Sequence, residues 1–158
     1  METNELLTEI RAAFPVMEMP SKRDLQFHPE GCYQCAYLSE YLDERRDHAV
    51  DGPVIRYMHQ EMSCLSAKGW VWALPHYLPF CFTAEAAYNQ METAFLIYSL
   101  GPGAKYEDDM KVRLSALTPT QLCCLIHFLE WLSEDPTWKE YYPAEIARAL
   151  LFVRKLAA

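Results

Sequence analysis

Residues 122–132, Leu-Cys-Cys-Leu-Ile-His-Phe-Leu-Glu-Trp-Leu, are apolar nearly all the way round a helix. They follow Thr118-Pro119, a cap residue and a first-turn proline. Leu122, Leu125, Ile126 and Leu129 face one way, while Cys124, Phe128 and Trp131 face the other, so neither side can be left in water. Such a helix, about Thr118 to Ser133, is expected at the centre of a packed bundle. Period-two alternation of any length is almost absent, and this argues against sheets. The expected fold is therefore all-α: one compact domain over residues 1–158, with six or seven helices packed around that central one.

The ten prolines punctuate the chain and mark helix boundaries. Thr3 is a plausible cap for a first helix with Leu6, Leu7, Ile10 and Phe14 in a stripe, ended by Pro15 and Pro20. An irregular segment covers 16–31. A second helix is expected over Cys32–Arg46 and a third from Asp51, with Pro53 in its first turn. Ser66 caps a short piece carrying Trp70, Trp72 and Leu74, which Pro75 and Pro79 should break. Thr83 caps a longer helix with Ala87, Tyr88, Met91, Ala94, Phe95 and Tyr98 on one face, stopped at Gly101-Pro102-Gly103. A short helix near Asp108–Leu114 and a last one from Pro143, striped by Ile146, Leu150, Val153 and Leu156, complete the reading.

Charge narrows the partners. The formal net charge is −8, which disfavours nucleic acid and anionic membrane surfaces and favours a basic protein partner. No apolar run approaches about 20 residues, so no span is expected. The N-terminus has no basic stretch leading into an apolar one, so the cytoplasm is the expected address. The six cysteines should then be thiols or metal ligands rather than disulfides.

The sharpest local motif is His28-x3-Cys32-x2-Cys35. A Cys-x2-Cys pair is half of a common zinc site and a nearby histidine can be a third ligand. A closed site needs a fourth, from Cys64, His48 or His59. The alternative is two reduced, buried thiols beside a surface histidine, with no cofactor at all. On the opposite side of the same helix, at about 100° per residue, Tyr33, Tyr37 and Tyr41 line up with Glu40 and Glu44 among them and Asp47 just beyond. Tyrosine is favoured at interfaces. This side reads either as a docking surface for a basic partner or as rings packed on a neighbouring element. Cys123 and His127, four apart on one helix, could touch. Their apolar setting suits an inert thiol better than an activated one, though an enzyme of unrecognised type stays an alternative. The acidic groups at 43–51, 107–109 and 130–135 read as solvated surface. No nucleophile elbow, phosphate loop, metalloprotease helix or dinucleotide fingerprint is present.

The stretch Trp70-x3-Leu74-Pro75-x-Tyr77-Leu78, with Thr83-Ala84-Glu85-Ala86, Leu117-Thr118-Pro119-x-Gln121, Phe128-Leu129 and the Cys32-x2-Cys35 pair, resembles a bacterial family of small acidic proteins of unknown function. The likeness runs from Cys32 to Tyr142. Its motifs are caps, turns and core aromatics, so it implies a fold and no catalytic residue. The small, acidic, helical, motif-poor profile also resembles bacterial immunity proteins. That resemblance implies a toxin domain as the basic partner.

Overall fold

A computed structural model describes residues 1–158 as helices joined mostly by short turns, with one long irregular segment over 14–32 between the first two. There are ten α-helices: α1 (Thr3–Ala13), α2 (Tyr33–Asp43), α3 (Gly52–Met58), α4 (Ala67–Phe80), α5 (Ala84–Asn89), α6 (Met91–Leu100), α7 (Glu107–Leu114), α8 (Pro119–Glu134), α9 (Pro136–Tyr141) and α10 (Pro143–Ala157). Two 3-10 turns, His59–Cys64 and Ala104–Tyr106, precede α4 and α7. No strand forms; the one bridge pairs Gln26 with Leu65. The buried apolar side chains make one contiguous cluster. No helix is long and apolar enough to cross a membrane.

The start of α8 shows how local chemistry and packing reinforce each other. Thr118 Oγ1 accepts from the Gln121 amide at 3.2 Å and Gln121 Oε1 accepts from the Thr118 amide at 3.0 Å, a reciprocal cap that satisfies two end donors. Gln121 Nε2 also donates to the Ala13 carbonyl at 3.1 Å, so the cap ties down the C-terminus of α1. Leu122, Leu125, Phe128, Leu129 and Leu132 are buried, and α8 packs against α1, α9 and α10.

The structure has ten helices rather than the expected six or seven: Gln90 divides the stretch expected as one helix from Thr83, and α9 forms between the helix expected to end near Ser133 and the one expected from Pro143. Gln90 takes the left-handed conformation, φ 60°. One such residue ends α5 and starts α6 on a new axis, so the stripe expected across it loses phase. Tyr88 is 90% exposed, and the buried face of α6 is instead Glu92, Thr93, Ala94, Leu96, Ile97 and Leu100. Asp135, extended because a proline follows, separates α8 from α9 and caps α9 through Oδ1 to the Thr137 and Trp138 amides at 3.0 and 3.2 Å.

The opposite correction applies at Pro75 and Pro79, which lie inside α4 rather than ending it. A mid-helix proline costs about 3 kcal/mol. Burial of one large apolar side chain contributes about 1.5–3 kcal/mol, and α4 buries Trp70, Trp72, Leu74, Tyr77, Leu78 and Phe80. Packing outweighs the two broken backbone bonds.

Candidate functional site

The first turn of α2 builds a thiol–imidazole cluster. Cys32 is the helix cap and its Sγ accepts from the Cys35 amide at 3.4 Å. Gly31, at φ +76°, turns the preceding segment so that His28 comes back over the helix end; a side chain there would be strained by the backbone angle alone. His28 Nδ1 lies 3.8 Å from Cys35 Sγ, and the ligand atoms of His28, Cys32 and Cys35 all lie within 4.8 Å of one another. Around tetrahedral zinc, sulfur and nitrogen sit about 3.6 Å apart and two sulfurs about 3.8 Å. The group could hold a metal after adjustments of up to about 1 Å in these separations.

Of the expected fourth ligands, the fold brings only Cys64 near the cluster, and its thiol lies outside the His28/Cys32/Cys35 group, 3.8 Å from Glu61 Oε2. The bridge at Gln26–Leu65 and the bond from the Phe27 amide to the Cys64 carbonyl at 2.8 Å run the His28 segment alongside Cys64, whose thiol faces Cys35. His59 packs against Phe95 and is turned toward the Arg56 carbonyl, while His48 is exposed beyond the far end of α2. The cysteines differ in acidity. Donation from the Cys35 amide lowers Cys32 below the ordinary thiol value, whereas burial raises Cys35 and pushes Cys64 up to about 12.

The outer face of α2 is divided. Tyr33 and Tyr37 are 81% and 67% exposed. Tyr41 is half-buried, stacked on Tyr57 at 3.6 Å with the Arg45 guanidinium 3.6 Å from its ring centre. The carboxylates expected to be free are partly engaged by the chain itself. Glu40 pairs with Lys22, Glu44 lies 3.6 Å from Arg45, and Asp43 lies 2.7 Å from Arg46. Asp47 is exposed and has no ion pair. Beside Tyr37 a groove of ≈ 450 Å³ is lined by Gln34, Tyr57, His59 and Glu61, of which the sequence singled out His59 alone, and as a metal ligand rather than a groove residue. They come from three elements, so no spacing pattern links them.

Cys123 and His127 do meet: Cys123 Sγ is 3.8 Å from His127 Nε2, and His127 Nδ1 is 2.8 Å from Glu9 on α1. None of the larger cavities is lined by these three residues. A larger cavity of ≈ 610 Å³ opens elsewhere, between the His28 segment, α6, α7 and α10, with Arg113, Arg148, Tyr98 and Tyr106 in its wall.

Residues 2–143 match the model of a family of unknown function (DUF6714), and the chain belongs to that family. No curated protein and no solved structure matches it.

Proposed function

We propose that this member of a family of unknown function is a non-catalytic protein-binding module that docks a basic partner, such as the active domain of a toxin, on the outer face of α2. The observation that carries the reading is the exposure of Tyr33 and Tyr37 one helical turn apart. Large amphipathic rings held on a rigid helix lose little conformational freedom on binding and so serve as anchors. Tyr41, one turn further along α2, is held in its stack with Tyr57. Glu40, Glu44 and Asp47 form the rim. With Lys22 and Arg45 already against two of them, local charge pairing contributes less than the long-range field of a chain carrying −8.

The test is affinity capture from the native cell with wild type and with a Tyr33→Ala/Tyr37→Ala variant of equal thermal stability. A partner retained by the first and lost by the second is expected, and its activity should fall on binding. If the two chains retain the same proteins, this face is not the docking surface. With a partner that needs Tyr33 and Tyr37, charge reversal at Glu40 and Glu44 should slow association and flatten its dependence on salt.

A second reading is a structural zinc site, favoured by the convergence of His28, Cys32 and Cys35. The metal would hold the segment before α2 to its first turn, and so fix the helix that carries the tyrosines. Protein purified without chelators should contain about one equivalent of zinc; less than about a tenth of an equivalent would remove the reading.

A further inference from the structure

Ion pairing in this chain leaves an unusual remainder. Five of its eight arginines, Arg23, Arg45, Arg46, Arg56 and Arg154, pair with carboxylates. Of the other three, Arg113 and Arg148 line the same ≈ 610 Å³ cavity. In a chain of net charge −8, two guanidinium groups without carboxylate partners, converging from different helices, need an explanation.

Arg113 is the more constrained. The residue is only 7% exposed. One face of its guanidinium lies 3.9 Å from the centre of the Phe27 ring, and its Nε donates to the Ser63 carbonyl at 3.1 Å. These contacts fix the plane of the group but use one of its five N–H donors, and the two Nη atoms have no acceptor within the chain. Burial works against the charge, and Asp109, one turn back on α7, supports it without forming an ion pair, so an anion in the cavity would add the partner that the chain does not supply. Arg148 reaches the same cavity from α10, its Nε anchored on the Gly101 carbonyl at 2.8 Å. The aromatic walls are Tyr98 and Tyr106, both substantially exposed. The volume lies within the range of small-molecule sites, about 300–1,000 Å³.

We propose that this cavity binds a small organic anion, with its carboxylate or phosphate group between Arg113 and Arg148 and a flat apolar body against Tyr98 and Tyr106. Planar guanidinium groups suit both kinds of oxyanion, because each can receive two parallel N–H bonds. Asp109 stands at the rim as the one opposing charge in the lining. His28 also borders the cavity, so the anion would lie beside the thiol cluster without drawing on it.

The experiment is titration of the purified chain with phenyl phosphate, benzoate and neutral benzyl alcohol, followed by amide chemical shifts and calorimetry. Phenyl phosphate or benzoate should bind in the micromolar to low-millimolar range and shift the amides of Ser63, Gly101 and Gly103; which of the two binds tighter identifies the anionic group. Benzyl alcohol should not bind. Arg148→Gln, on an exposed side chain, should weaken binding at least about tenfold without changing Tm, and Asp109→Asn should tighten it. Absence of binding by both anions at 10 mM, or equal affinity in wild type and Arg148→Gln, would overturn the proposal. Arg113 could instead serve only the neighbouring thiols. In that case Arg113→Gln would change cobalt(II) affinity while leaving anion binding intact, and this outcome too would sink it.

Discussion

Replacing Gly101 by alanine isolates a single packing contact between two helices. Gly101 ends α6 with φ −121° and ψ 64°, close to the angles of Phe14 at the end of α1, so the substitution carries no penalty from a left-handed backbone. The cost is steric. A Cβ at this position would lie 2.8 Å from the Ala149 nitrogen, 3.1 Å from its Cα and 3.3 Å from its Cβ. Ordinary heavy-atom contact is about 3.5–4.0 Å, so α6 and α10 would have to separate by roughly 0.7 Å. The obstacle is helix backbone, which no rotamer change moves aside, and the interface around it holds Leu100, Ile146, Ala149 and Val153 in the core. Overpacking of this kind costs about 1–3 kcal/mol, and the upper half of that range is expected here. For a chain of this size the loss corresponds to a fall in Tm of about 5–10 °C. Urea unfolding followed by tryptophan fluorescence should show a lower midpoint with an unchanged slope. Gly103 is the control. It has φ −65° and ψ 157°, with nothing within 4 Å of an added Cβ, so Gly103→Ala should be neutral or stabilise by about 0.4–1 kcal/mol. Adding Ala149→Gly removes the 3.3 Å contact but not the 2.8 Å one, so it should not rescue Gly101→Ala. If Gly101→Ala costs less than about 0.5 kcal/mol, or if Ala149→Gly restores it, the close backbone approach is not what positions α10.

Three further outcomes are expected. Burial on α4, beside the Trp72 ring one turn earlier on the same helix, holds the His76 imidazole below its ordinary value of 6.5. The unfolded chain therefore takes up this proton first, so stability should fall as pH drops below about 6.5 and show no such contribution at pH 8. In His76→Gln the loss of stability between pH 7.5 and pH 5.5, measured in urea, should be smaller. Gln90→Gly should stabilise by up to about 1 kcal/mol by relieving the left-handed strain, partly offset by the greater freedom of glycine in the unfolded chain; thermal melts measure it. Gln121→Ala removes half of the reciprocal cap and the bond to Ala13, and should cost about 1–2 kcal/mol in the same assay.

The sites divide by how local their chemistry is. The His28/Cys32/Cys35 group could be read in the chain because all three residues fall within one turn and the segment before it. Cys64, far along the sequence, was one of three possible fourth ligands, and only the pairing of 26 with 65 singles it out. Helical spacing put the three α2 tyrosines together, and of these Tyr33 and Tyr37 are exposed while Tyr41 is half-buried. The chain could not show that Tyr41 would stack on Tyr57 or that Lys22 would meet Glu40, since these contacts join separate elements. The arginine-lined cavity left no trace in the sequence. Arg113 and Arg148 are ordinary surface residues by any spacing rule, and four segments must close around them before they share a space.

Helical class, caps and most helix starts follow from chemistry within a few residues: a hydroxyl or carboxylate reaching the next turn's amides, a proline at the first position, an apolar stripe. Whether a break succeeds is a different question, because it is a competition between a local cost and burial. Pro75 lost that competition to the aromatic and aliphatic side chains that α4 buries, whereas Gln90 ended one helix and rephased the next. A few kilocalories per mole at the backbone are set against contacts from elements dozens of residues away, and those contacts exist only in the assembled fold.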